Sequence, residues 1–504
     1  MTTVLDRRGK RKPTAGADVT AYDVEAVNRK ETRSLYAKRQ KIYPRSATGR
    51  YRTFKWVFMV LALLIYYGTP WLRWDRGPDL PNQAVLLDME NNRFFFFFLE
   101  IWPQEFYYVT GLLVLAALLL FLMTSLAGRV WCGYACPQTV WTDLMISIER
   151  FWIGDRNARI RFDKEPWGVG KVFKLGMTHV SWLLVGVLTG GAMVFYFRDA
   201  PTLAVELVTG QAPYVAYLFL AIFALTTYGF GGIVREQLCI YMCPWPRIQG
   251  AMTDQHTLFV SFGPERGEPP GPARRGPDGR AAWSSRGDCI DCKACVVVCP
   301  AGIDIRDGLQ LECIQCALCV DACNEIMDKI GRPRGLIGYV TPAKQEGWAK
   351  GEETAHKFIR PRTVLYAAVF SLVGLVMLYG WFNRTIVELN VLADRNPPFV
   401  RLSDGSIRNG YAVKILNKLH EPRSFTVSVK GVDGPSLSFI ESDVTNATVT
   451  VPTDQLREIK MFIATPPQAA ARVTGGSQSI TIMIRDVESG AEASRQTFFR
   501  APLN

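Results

Sequence analysis

Apolar residues in this chain gather into five long runs, at 54–74, 106–126, 179–197, 214–234 and 363–382. Each is about the length a helix needs to cross a bilayer, and none has a charge at its centre. One such run is compatible with a buried core helix; five predict a membrane protein. After the fifth run the period changes from helical to two. YAVKILN, SFTVSVKG, SLSFIES, ATVTVPT, EIKMFIAT, SQSITIMIRD and ASRQTFFR alternate apolar and polar positions, separated by Gly, Pro, Asn and Asp. That spacing predicts an immunoglobulin-like β-sandwich over 383–504. It has no Cys and one histidine, His420, and reads as a docking or scaffolding module.

Charge orients the spans. Residues 1–53 carry 14 Lys or Arg against 5 Asp or Glu, a basic tail expected to stay cytoplasmic and disordered. The 75–105 connection holds 6 acids and 2 bases and reads as external. The segment from the second run to Lys174 holds 8 bases and 5 acids and reads as internal. The fifth span then sends the C-terminal domain to the periplasm. A nucleic-acid arm is the competing reading of the basic tail, but a neighbouring membrane span accounts for it better.

All twelve cysteines fall in stretches assigned to the cytoplasmic side, where thiols stay reduced. Eight form Cys289-x-x-Cys292-x-x-Cys295-x-x-x-Cys299-Pro and Cys313-x-x-Cys316-x-x-Cys319-x-x-x-Cys323. In the bacterial two-cluster ferredoxin pattern the fourth cysteine of each run ligates the other run's cluster. Cys289, Cys292, Cys295 and Cys323 are therefore expected on one [4Fe–4S] cluster, and Cys313, Cys316, Cys319 and Cys299 on the second. A pair of structural zinc sites is the competing reading. The expected order is a basic tail (1–53), a four-span bundle (54–262), a Gly/Pro-rich linker (263–287), the ferredoxin domain (288–335), a cytoplasmic linker (336–362), the fifth span (363–382) and the sandwich (383–504). The fold class is thus a multi-domain membrane protein, an all-α bundle with an inserted α+β two-cluster ferredoxin and an immunoglobulin-like domain.

The other four cysteines make a repeat. Cys132-Gly-Tyr-Ala-Cys136-Pro137 and Cys239-Ile-Tyr-Met-Cys243-Pro244 each follow an apolar span. Cysteines four apart share one face of a helical turn. Proline favours a new helix starting after Cys136, whose dipole would lower that thiol's pKa. Over 138–152, Trp141, Leu144, Met145, Ile148 and Trp152 form an apolar stripe with Asp143, Glu149 and Arg150 off it. Small buried hydrophobes are the bland account of these cysteines. Soft thiolates here select Cu(I), with zinc the competitor.

This order of tail, paired spans with C-x-x-x-C-P, ferredoxin, last span and sandwich resembles the FixG/RdxA/CcoG family, as do WPQEFYY at 102–108 and DCIDCKACVVVCPAGIDIRDGLQLECIQCALC. The resemblance implies an accessory protein for assembly of cbb-type cytochrome c oxidase, in the bacterial inner membrane. It implies an oxidoreductase that takes electrons from a cytoplasmic donor and reduces Cu(II) to Cu(I) at Cys132, Cys136, Cys239 and Cys243. Copper chaperones or oxidase assembly factors would be its partners, beside membrane lipid. Two alternatives stand: a general conduit from ferredoxin to quinone or a periplasmic reductase, and a redox-sensing scaffold. No nucleic-acid partner is expected, and a homodimer stays open.

The aromatic run at 94–98 reads as an interfacial belt rather than a quinone pocket. His179 lacks a facing partner for haem b, and no C-x-x-C-H for haem c occurs. Asn324 stands after Cys323 where many ferredoxins have Pro.

Overall fold

A computed structural model describes residues 14–15, 19–28, 40–77, 80–271, 274–275, 281–282, 286–352, 355–384, 387–419, 421–440, 444, 447–453, 455–473 and 476–502. His420 lies outside the described residues, as do 1–13, 16–18 and 29–39 of the tail. The chain divides into two compact units, Met1–Met377 and Leu378–Asn504.

Among the described residues, five helices are long and apolar enough to cross a membrane: Arg50–Trp71, Tyr107–Ala127, Val169–Phe195 and Tyr214–Val234 in the first unit, and Pro361–Phe382, which runs across the boundary. They are α1, α2, α5, α6 and α7 below. Their outward positions stay apolar and exposed, as on Leu64, Leu113, Leu184 and Leu372, which suits lipid rather than water. Where α5 and α6 cross, Gly186 and Gly190 sit against the carbonyls of Ala224 and Leu220, so a Cβ at either would collide with backbone. Between α1 and α2 the chain forms a three-stranded antiparallel meander, β1 (Val85–Asp88), β2 (Arg93–Phe96) and β3 (Leu99–Ile101). Within the aromatic run, Phe95 is buried under the Arg76 guanidinium while Phe97 and Phe98 are exposed.

Short helix α3 (Val130–Tyr134) and helix α4 (Pro137–Ile153) follow α2. The polar side of α4 is not solvated, contrary to what its pattern suggests. Asp143 accepts two bonds from the Arg52 guanidinium at 2.8 and 2.9 Å, with Lys55 at 4.0 Å. Glu149 meets Arg235 at 2.9 Å and Arg159 at 3.3 Å. All of these groups are buried, so each ion pair stands only because its partner is present. Replacing Asp143 with Ala strands Arg52 and Lys55 without a counter-charge. The expected loss is about 3–5 kcal/mol, read as a lower melting temperature of the detergent-solubilised protein. An unchanged melting temperature would show the pair to be dispensable.

The cysteine-rich domain is larger than its motifs. Strand β4 (Phe259–Phe262) pairs antiparallel with β5 (Ile337–Val340), so the two ends of the inserted segment meet outside 288–335. The tail also takes part. Tyr22 N–H donates to the Cys292 carbonyl at 3.0 Å, Asn28 N–H to Gly302 at 3.1 Å, and Arg45 N–H to Val297 at 2.9 Å. These stretches are ordered against the domain, where disorder was expected, because they complete its core with Val19, Tyr22 and Val24.

The second unit holds two antiparallel sheets. One has the order β6 (Val387–Ala393), β8 (Ile407–Asn417), β12 (Leu456–Thr465), β10 (Ser436–Phe439), with β7 (Val400–Arg401) on β8. The other runs β11 (Thr448–Val451), β9 (Arg423–Lys430), β13 (Ser477–Asp486), β14 (Glu492–Arg500). Tyr411, Val413 and Ile415 from one sheet and Phe425, Ile482 and Ile484 from the other fill the core between them. Each alternating run from the sequence is a strand, and β6 and β7 are additional.

Candidate metal centres

The two quartets are built alike. In each loop the residues two and four places after the first cysteine are left-handed: Asp291 and Lys293 in one, Gln315 and Ala317 in the other, with φ of 51–58°. These turns fold the loop around its thiols, and helices Ala294–Val297 and α8 (Leu318–Lys329) then begin. Cys289, Cys292, Cys295 and Cys323 line one cavity with Ile290, Phe262 and Leu336. Cys299, Cys313, Cys316 and Cys319 line the other, with Cys295 at its edge. Burial pushes the Cys313 and Cys323 thiols up to about 12 and Cys299 to about 11. An apolar wall disfavours bare thiolates, and the positive charge of iron offsets that penalty. Four thiols around each apolar cavity fit a cubane cluster, which supplies one-electron redox chemistry.

The duplicated motif also repeats in three dimensions. Helix α2 ends on Gly128 (φ 60°, ψ −125°) and α6 on Arg235 (φ 49°, ψ −116°), equivalent places in the two copies. In each copy the second cysteine's N–H donates back five residues, from Cys136 to Trp131 at 2.9 Å and from Cys243 to Leu238 at 2.8 Å. Both second cysteines are extended, and a helix follows each proline: α4 after Cys136, and Trp245–Met252 after Cys243. The copies reach into each other. Cys132 Sγ donates to Gln249 Oε1 at 3.2 Å, and Gln138 Nε2 donates to the Phe230 and Arg235 carbonyls at 2.8 and 3.1 Å.

The four thiols lie close enough for each to feel the others' charge. Burial pushes Cys132 and Cys239 up to about 12. Cys136 does stand at the start of α4 and receives the N–H groups of Gln138 and Thr139, yet its pKa rises, because burial outweighs those bonds. The helix start therefore does not make it a ready thiolate; a metal would have to displace its proton. Among the described residues, no three His, Cys, Asp or Glu side chains converge tightly enough to hold a single metal ion. That is true of the ferredoxin quartets too.

The first motif touches the cluster loops directly. Tyr134 hydroxyl donates to the Cys316 carbonyl at 3.1 Å. A Cβ on Gly133 would stand 2.8 Å from the Ile314 carbonyl and 3.1 Å from Cys316 backbone. Arg129 donates its N–H to Gln315 Oε1 at 2.8 Å and its guanidinium to the carbonyls of Leu311, Cys313 and Pro246. From the other side, Asp321 on α8 accepts the Arg52 N–H at 2.7 Å and caps the start of α1. His179 bonds Tyr228 at 3.0 Å rather than facing a second histidine. Sequence reasoning missed Arg129, Arg235 and Gln249; the only signal was a charged or amide side chain within ten residues of a motif.

Thiol-lined cluster sites fastened to a bundle of membrane-length helices define a membrane iron–sulfur protein of electron transfer. Comparison with known proteins agrees. Residues 234–342 match the family described as "4Fe-4S dicluster domain", 109–156 a "4Fe-4S binding domain", and 377–502 the "IG-like fold at C-terminal of FixG". "Nitrogen fixation protein FixG" of Rhizobium meliloti is 46% identical over 521 residues, covering 97% of this chain and 98% of its own. "Protein RdxB" of Cereibacter sphaeroides is 50% identical, covering 94% and 99%, and "Protein RdxA" of the same organism 47%, covering 92% and 98%. The chain belongs to the FixG/RdxA family.

Proposed function

We propose that this protein is a cupric reductase for the assembly of cbb-type cytochrome c oxidase. In this reading Cys289, Cys292, Cys295 and Cys323 hold one [4Fe–4S] cluster, and Cys313, Cys316, Cys319 and Cys299 the other. Electrons from a cytoplasmic donor reach Cu(II) at Cys132, Cys136, Cys239 and Cys243, and Cu(I) leaves to a copper chaperone or assembly factor. The observation that carries it is the contact of Gly133 and Tyr134 with Cys316, which sets a four-thiol site directly against a cluster loop. Thiolates prefer Cu(I) to Cu(II), so the site favours the reduced product. Anaerobically purified protein is expected to hold about eight iron atoms per chain and near-stoichiometric copper. Zinc alone would remove the electron-carrier reading.

One observation favours a conduit instead. The "4Fe-4S binding domain" match at 109–156 spans Cys132 and Cys136, which with Cys239 and Cys243 supply the four thiols a further cluster needs. About twelve iron atoms per chain and no copper would select it.

The basic tail and ferredoxin domain are assigned to the cytoplasm and the sandwich to the periplasm. A reporter fused after Asn504 should read as periplasmic and one at Gly276 as cytoplasmic. Both on one side would mean that α7 does not cross.

A further inference from the structure

Two clusters in series leave open which one hands electrons on, and the contacts of the first C-x-x-x-C-P copy are one-sided. Tyr134, Gly133 and Arg129 all meet the loop from Leu311 to Cys316. The space beside Cys239 in the second copy is walled by Pro300, Ala301, Glu312 and Ile314, next to Cys299 and Cys313. Every one of these contacts belongs to the quartet Cys313, Cys316, Cys319 and Cys299. The Cys289 and Cys292 carbonyls accept from Gly271 and Tyr22 instead, outside the bundle.

Arg129 is the charged member of this seam. It is buried, 5% exposed, and close enough to Cys132 on one side and Cys313 on the other to feel both. A fixed positive charge stabilises the more negative, reduced state of a neighbouring cluster and so raises its reduction potential. Electron tunnelling falls exponentially with distance, and the missing Cβ of Gly133 lets the two backbones touch.

We infer that electrons leave the ferredoxin domain from the cluster of Cys313, Cys316, Cys319 and Cys299, across a seam of Arg129, Gly133 and Tyr134, and that Arg129 sets that cluster's potential as a positioning residue. One electron crosses per event: the cluster is oxidised by one and the acceptor reduced by one, Cu(II) to Cu(I) in the reading above. The cluster of Cys289, Cys292, Cys295 and Cys323 then receives electrons from the donor. The inference rests on the four-thiol site as acceptor, but not on that acceptor being copper.

The test is a redox titration of the full-length, anaerobically purified protein followed by electron paramagnetic resonance. Cys316→Ala and Cys292→Ala identify the two cluster signals by removing one each. In Arg129→Gln the signal that Cys316→Ala removes should move to lower potential while the other stays, and Arg129→Lys should restore it. A shift of the other signal, of both equally, or of neither overturns the inference. Should Arg129→Gln lose its iron, Gly133→Ala serves instead: its Cβ must displace the Cys316 loop, so the same signal alone should change shape. A change in the other signal would refute the assignment. None of these readouts uses copper, so a wild-type protein that reduces no Cu(II) would end the cupric-reductase reading and leave this one standing.

Discussion

Replacing Cys132, Cys136, Cys239 and Cys243 together with serine is expected to abolish Cu(II) reduction while both iron–sulfur centres remain. The separation follows from where the thiols stand. None of the four lines either quartet cavity, so the clusters keep all eight of their thiols. A serine hydroxyl is nearly the size of a thiol but a hard, poorly ionised donor, so the site loses its preference for Cu(I) without losing its packing. Two partners of these cysteines persist in the variant: Gln249 still bonds Thr124, at 3.3 Å, and Thr139 still bonds the backbone at 132. The measurement is the rate at which a Cu(I)-specific chelator develops colour under anaerobic reductant, beside iron per chain. Wild-type reduction rates in the four-serine protein would move the chemistry away from these thiols.

The second large effect is on the clusters themselves. Cys292→Ala or Cys316→Ala should cut iron from about eight to about four atoms per chain, because each alanine opens one quartet. Cys323→Ala should act on both function and fold. Cys323 lies on α8, two places after Asp321 at 5% exposure, and it closes the cavity of the other loop. Losing it severs the link between the two halves of the domain, and metal–thiolate bonding in a small domain is part of its folding free energy. We expect Cys323→Ala to lower the melting temperature more than Cys292→Ala. Equal iron in mutant and wild type would show that the quartets are not the ligands.

Much of this architecture was legible because two signals survive without an alignment. Five apolar runs of membrane length and seven alternating runs placed the helices and most strands, since burial against lipid or a sheet face imposes those periods directly. Thiol spacing grouped the cysteines, because a cluster demands fixed intervals along the chain. What stayed hidden depends on partners distant in sequence. Asp143 and Glu149 look like solvent residues until Arg52 and Arg235, distant in sequence, arrive to neutralise them. Strand β6 alternates only over Val387–Val391 before Leu392 and Ala393 break the period, with Val387 and Leu389 buried. The tail reads as disordered by composition, yet Tyr22 and Arg45 find backbone partners in the ferredoxin domain. Cys136 illustrates the opposite error: its place at a helix start was legible, but the burial that reverses its pKa was not.

The paired left-handed residues at the ends of α2 and α6 bear on how far the duplication can be called symmetric. Gly128 and Arg235 share a backbone shape but not a side chain, and neither could take the other's. At 128 a Cβ would strike the Gln315 amide at 2.7 Å and the Leu258 carbonyl at 2.8 Å, so the first half is fitted to its cluster loop with no room to spare. At 235 the arginine accepts an unfavourable backbone in order to reach Glu149 and lie over Trp182, anchoring the second half within the bundle. Here the two halves differ at that position, so the first is fitted against a cluster loop and the second is moored within the bundle.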